Sequence, residues 1–261
     1  MQKVWGKIVG CLLGFAVGGP LGSIMGIIVG HIHDHQPPAT AMDWNTTYAG
    51  FTGTSQQVTF TVGVIVLGAK MAKADGRVTR AEIDAFKRVF KTGPTQAKLV
   101  GRIFDQARKS VDGFEPYALQ LSQTFRYNST VLEEVLGGLF MIAAADSAGL
   151  RPAELQFLRR VADIFGFSKD DFYRIAARAG VSTPSHHPVS SENNESYAIL
   201  GIKEGATADD IKAAYRDLIR KHHPDKLVAQ GLPAEFIAIA NEKMKRINVA
   251  YDTLCRAKGI K

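Results

Sequence analysis

The chain has 261 residues, 46% of them hydrophobic, and a formal net charge of +7. That charge is spread along the chain without the concentrated basic surface of a nucleic-acid binder, so nucleic acid is not an expected partner. The two cysteines, Cys11 and Cys255, lie far apart in sequence, which implies no disulfide framework, excludes a four-cysteine zinc site and suits a reducing compartment.

Residues 1–31 carry the longest apolar run. No residue from Ile8 to Gly30 is charged, a stretch of 23 residues, long enough to span a bilayer core with some tilt. It predicts a single retained transmembrane helix. A cleaved signal peptide has a shorter apolar core, and a linker holds less Ile, Leu and Val. Gly6, Gly10, Gly14, Gly18, Gly22, Gly26 and Gly30 recur at every fourth position. Glycine is unfavourable in a soluble helix, but in lipid it lets two helix backbones approach closely. The row predicts a homodimer through the span, with a right-handed crossing. Pro20 predicts a mild kink. His31, His33, Asp34 and His35 follow directly, where polar residues mark the water interface; a structural role suits them better than metal binding.

Residues 32–54 read as a juxtamembrane linker. Gln36 to Thr54 is rich in Pro, Thr and Gly, with Trp44, Tyr48 and Phe51 suited to the membrane surface. Residues 55–181 read as helix, without strand alternation. Thr79 with Glu82, Pro116 after Glu115, Pro152 after Arg151 and Ser168 with Asp171 mark helix starts, and Gly166 and Gly180 mark stops. A weak internal repeat is visible: Ala74-Asp75-Gly76-Arg77-Val78 leading to Ala81-Glu82-Ile83 recurs as Ala145-Asp146, Ala148-Gly149-Leu150 and Ala153-Glu154-Leu155. Phe86, Val89 and Phe90 answer to Leu158, Val161 and Ile164. Paired helical hairpins predict one bundle with its own core. The acidic residues Asp75, Glu82, Asp146 and Glu154 do not have the spacing of an EF-hand loop. Asp before a turn and Glu in a first helical turn are ordinary capping chemistry, so no metal site is assigned. Residues 182–195 are polar, with Ser, Pro, Asn and His, and predict a flexible linker.

The last segment, 196–261, carries the most informative tripeptide, His223-Pro224-Asp225. Tyr197 to Leu200 reads as a short helix closed by Gly201. Thr207 and Asp210 form an acidic variant of the capping box at the start of a helix running to His222. Ile211, Ala214, Tyr215 and Leu218 give its buried face. Lys212, Arg216 and Arg220 form a separate stripe at steps of four, which suits an acidic partner as well as solvent. Pro233 suits the first turn of the next helix, whose facing stripe is Phe236 or Ile237, then Ala240, Met244, Ile247, Tyr251 and Leu254. Asp217 sits one turn before Lys221 and suits pairing with it. His and Asp in one loop also suit acid–base chemistry, but no nucleophile or Gly-rich phosphate loop accompanies them. No catalytic residue, no cofactor and no enzymatic activity is therefore assigned.

Two amphipathic helices joined by a loop displaying His-Pro-Asp resemble a J domain, the part of DnaJ-family cochaperones that stimulates the ATPase of Hsp70. The resemblance implies that His223, Pro224, Asp225 and Lys226, with Lys212, Arg216, Arg220 and Lys221, dock on Hsp70. Asp217 departs from the pattern, since many J domains carry a base there, and it lowers the expected positive field. The middle repeat resembles the TerB-like helical domain. The whole order, with His222 to Ala229 continuing through Gly231-Leu232-Pro233 and with Trp5-Gly6-Lys7-Ile8, resembles the DjlA family of membrane-anchored DnaJ-like proteins.

The expectation is an all-α chain: a single transmembrane helix, a TerB-like bundle and a C-terminal J domain. Its expected role is to recruit a cytosolic Hsp70 (DnaK) at the bacterial inner membrane and activate it. The flexible linker would let the J domain reach its partner without moving the bundle. The alternative is a membrane scaffold or sensor whose TerB-like domain binds a metal or a signalling partner. Orientation meets two opposed arguments. Lys3 and Lys7 precede the span and no Lys or Arg follows until Lys70, so the positive-inside rule favours a cytoplasmic N-terminus. A J domain needs ATP and a cytosolic Hsp70, which favours a short N-terminus outside and residues 32–261 in the cytoplasm. The second argument is preferred, because a tail of so few residues biases orientation without fixing it.

Overall fold

The structure is a computed structural model that describes residues 5–35, 55–74, 83–84, 86, 94–109, 113–145, 149–183, 192–233 and 236–260. The described residues are helical, with no strand among them. Helix α1 is Trp5–His35. The middle region holds α2 (Ser55–Ala72), α3 (Pro94–Ala107), α4 (Glu115–Thr124), α5 (Ser129–Ala143), α6 (Pro152–Ile164) and α7 (Lys169–Ala179). The C-terminal region holds α8 (Glu192–Leu200), α9 (Ala208–Lys221), α10 (Pro224–Ala229) and α11 (Ile237–Lys258).

Helix α1 departs from the expected continuous span. It breaks at Gly18 and Gly19, and Gly19 adopts a φ of 59°, a backbone region that favours glycine. Pro20 then opens the second half, where its missing N–H costs nothing. The two halves double back on each other. A Cβ on Gly10 would collide with the Gly26 carbonyl, and one on Gly14 with the Gly22 carbonyl. The period-four glycines thus make the close backbone approach the sequence implied, but within one chain. Among the described residues, no helix is long and apolar enough to cross a membrane. The outer side of the first half exposes Ile8, Val9, Leu12 and Phe15. The second half buries Leu21, Ile24, Met25 and Ile28 in the middle domain's core. Gln120 of α4 secures the bend: its Oε1 accepts from Leu21 N at 2.9 Å, and its Nε2 donates to Gly18 O at 2.8 Å.

Among the described residues of the middle domain, local signals and outcome agree, and the start expected at Thr79 with Glu82 lies outside them. Ser168 caps α7 and Asp171 reciprocates, accepting from Ser168 N at 3.1 Å. Gly180 ends α7 at a φ of 75°. Pro116 and Pro152 stand in the first turns of α4 and α6. Phe86, Leu158 and Val161 of the repeat are buried, and Ile164 is half-buried. Aromatic pairs tie the hairpins together, with Phe114–Phe157 centroids 4.2 Å apart and Phe140–Phe172 5.0 Å apart. Val89, Phe90, Asp75, Glu82 and Asp146 lie outside the described residues, as do Trp44, Tyr48 and Phe51 of the first linker. Of the second linker, 184–191 lie outside them and Glu192 to Glu195 belong to α8.

The C-terminal helices have a core of their own. Tyr197, Ile199 and Leu200 of α8 meet Ile211 and Leu218 of α9 and Ile247, Ala250 and Leu254 of α11. Tyr215 and Tyr251 stack at 4.0 Å between centroids. The apolar stripe of α11 is divided, however. Its first part, Phe236, Ile239 and Ala240, joins the middle domain's core, and only the part from Met244 onward faces α9. The C-terminal unit is therefore packed against the bundle rather than held at a distance from it.

Candidate functional site

The capping box predicted for α9 is formed. Asp210 N donates to Thr207 Oγ1 at 3.2 Å, and Asp210 Oδ2 accepts from Thr207 N at 3.0 Å. Hydrogen bonds from Thr207 hold the Asp210 carboxyl below its usual range. With Ile211 and Leu218 fixed in the core, the opposite face is turned outward. Arg216, Arg220 and Lys221 are exposed and Lys212 is half-buried. Asp217 pairs with Lys221 at 2.7 Å, as expected, and also with Arg220 at 3.2 Å. The hydrogen bond from Lys221 is the main cause of the lowered Asp217 pKa. This partly neutralises the lower end of the basic face. Lys212, Arg216 and Lys226 have no carboxylate partner among the described residues.

His223-Pro224-Asp225 lies at the start of α10, a short helix the sequence reading passed over. His223 is its N-cap and Pro224 its first residue. The His223 ring nitrogen Nδ1 accepts from Asp225 N at 3.3 Å and lies 3.8 Å from Asp225 Oδ2. The His223 side chain is 53% exposed and that of Asp225 93%. The loop is thus preformed, with both polar groups open to a partner and the basic face beside them.

What holds this loop was not anticipated. His222, the residue before it, is fully buried, and its Nδ1 lies 2.8 Å from Glu134 Oε1 on α5. A carboxylate only accepts, so Nδ1 carries the proton in that bond. Lys243 of α11, also buried, donates to Glu134 at 2.8 Å and lies 3.5 Å from Glu133 Oε1. Glu133 pairs with Arg178 of α7 at 2.8 Å, and Arg178 Nε donates to the Ile199 carbonyl of α8 at 2.8 Å. Burial pushes the Glu133 carboxyl up, but Lys243, His222 and Arg178 together outweigh it and bring it to about 2. Glu134 is lowered against burial in the same way, chiefly by Lys243. A sequence signal for this cluster did exist. Lys243 sits in the apolar stripe of α11 between Ala240 and Ile247, and Glu133 and Glu134 interrupt the largely apolar run of α5.

The other side of the loop is fixed by apolar contacts. Leu227, Leu232 and Phe236 are buried in the middle domain's core. Phe236 meets Phe60 edge to face at 4.6 Å, and Phe60 meets Phe125 at 6.0 Å.

Of the four acidic candidates of the repeat, Glu154 is the one that lies among the described residues. Glu154 is buried and accepts from Arg151 N at 2.9 Å, a cap at the start of α6. The side chains of His31, His33, Asp34 and His35 lie outside the described set. No group of three or more His, Cys, Asp or Glu residues suited to a metal ion is found among the described residues.

Three family models match the chain. They are the tellurite resistance protein TerB over residues 61–177, the DnaJ domain over 195–260, and the co-chaperone DjlA transmembrane domain over 1–57. The co-chaperone protein DjlA of Shewanella oneidensis is 33% identical over 268 residues, covering 99% of this chain and 100% of the relative. The chain belongs to the DjlA family of co-chaperones. The DjlA protein of Coxiella burnetii is 29% identical, covering 78% of this chain and 79% of its own. That of Haemophilus influenzae is 50% identical over 68 residues, 26% of this chain. No solved structure matches the chain. Membership makes it a membrane-anchored co-chaperone with its anchor in the N-terminal segment, a TerB domain in the middle and a J domain at the end. The relatives carry the name co-chaperone.

Proposed function

We propose that this co-chaperone recruits a cytosolic Hsp70 of the DnaK type to the membrane and stimulates its ATP hydrolysis through the His-Pro-Asp loop. One observation carries the reading: a preformed His223-Pro224-Asp225 loop open to solvent, flanked by the exposed bases Arg216, Arg220, Lys221 and Lys226. An acidic surface on an ATPase fits that face, and the loop adds a fixed donor and acceptor geometry to its charges. The experiment is a single-turnover ATPase measurement on a bacterial Hsp70 with the full chain in lipid nanodiscs. A raised rate supports the reading, and an unchanged rate removes it.

The anchor is read as a single pass. In the single-pass form the bend at Gly18 and Gly19 is open, and Ile8 to Gly30 crosses with the short N-terminus outside and residues 32–261 in the cytoplasm. Such a span has the lipid-facing apolar side chains and the small-residue row that membrane helices use. An export-dependent phosphatase fused after Lys261 should be inactive; high activity would reverse the topology. The glycine row, Gly6 to Gly30, then joins two copies into a homodimer. Gly14→Leu should weaken self-association in a membrane reporter assay several-fold, because a large side chain separates the backbones. Unaltered association would deprive the row of that role.

A further inference from the structure

The His-Pro-Asp loop is gripped on both sides by the middle domain. Upstream, buried His222 bonds Glu134 at 2.8 Å. Downstream, Leu227 is buried among middle-domain side chains. Between these two points His223, Asp225 and Lys226 are exposed and Pro224 is half-buried. The upstream grip is ionic, and this is informative. Removing two carboxylates and a lysine from water is costly, so such a cluster stabilises less than apolar packing of the same volume. It does restrict the geometry, since both bonds to Glu134 end on Oε1 and form together only when His222 and Lys243 are both in place. The two arrive from different helices, α9 and α11, and Arg178 ties α8 into the same cluster through the Ile199 carbonyl. The cluster therefore reads the relative placement of three J-domain helices at the residue just before the loop.

We propose that Glu134, assisted by Glu133, is a positioning residue for the His-Pro-Asp loop and acts through His222. The TerB domain is then part of the stimulating unit rather than a separate module. This rests on the Hsp70 reading above. The basic face of α9 binds the partner whether or not the loop is held, while the held loop delivers the stimulation. Loss of the grip lowers the fraction of bound complexes in which the loop is competent.

The test uses the full chain in nanodiscs and a bacterial Hsp70 loaded with ATP. The single-turnover rate is followed against co-chaperone concentration for the unaltered chain, Glu134→Gln and His222→Ala, with circular dichroism and melting to establish folding. The maximal rate should fall about tenfold in both variants, with the half-saturating concentration shifting less than about twofold. Arg216→Glu should show the opposite split, which a general loss of structure would not produce. An unchanged maximal rate in a folded variant overturns the proposal, and so does a loss confined to the half-saturating concentration. If Glu134→Gln does not fold, His222→Ala decides, because it leaves Glu133 and Glu134 matched by Lys243 and Arg178. Failure of the unaltered chain to stimulate would sink the Hsp70 reading itself. Equal stimulation by the chain and its variants would sink only the positioning role.

Discussion

Replacing His223 with Gln is expected to abolish stimulation of Hsp70 while leaving the helices intact. His223 contributes little to the fold, since its side chain is 53% exposed. Its ring nitrogen accepts from Asp225 N at 3.3 Å, a bond that a glutamine carbonyl can replace at modest cost. The far-ultraviolet dichroism and the melting temperature should therefore change little. Glu substitutions at Arg216 or Arg220 provide the contrast. They act on an exposed field, so they should weaken docking several-fold at low salt and much less at high salt. Arg216 should matter more, since Asp217 already engages Arg220 at 3.2 Å. Undiminished stimulation by the His223 variant would remove the loop from the mechanism.

Phe236→Ala should have the largest effect on stability, about 3–5 kcal/mol, the usual range for truncating a buried aromatic ring. Phe236 is 1% exposed and its ring meets Phe60 edge to face at 4.6 Å. The loss should fall on the union of the two domains rather than on the J domain itself. Ile211, Leu218, Ile247 and Leu254 form a core that does not include Phe236. Chemical denaturation should accordingly separate into two transitions in the variant where the unaltered chain shows one. A single transition at an unchanged midpoint would mean that Phe236 does not couple the domains.

The sequence was most legible where one short segment decides the outcome. Thr207 with Asp210 and Ser168 with Asp171 are capping boxes set by two residues three positions apart, and both formed. The Asp217–Lys221 pair was equally readable, being one turn apart. Long-range choices were not. The stripe beginning at Phe236 announces burial, but periodicity does not say against what, and its first part met Phe60 instead of α9. Glu134 and Lys243 are 109 positions apart, so each alone looks like a misplaced charge in an apolar row. The glycine row announced close approach of two backbones, and the sequence reading took the second backbone to be another copy of the chain. A break at Gly18 and Gly19 brought it from the same chain.

That last feature has a consequence for assembly. In the hairpin, unlike glycines meet, Gly10 with Gly26 and Gly14 with Gly22. In two parallel spans, like glycines would meet across a twofold axis. A chain cannot make both sets of contacts, so cis and trans pairing compete for one surface. Folding back supplies its own partner at a fixed effective concentration, which a second copy must exceed by crowding in the plane of the membrane. Oligomerisation would then respond to surface density as an exchange reaction, with the closed monomer as the competing ligand.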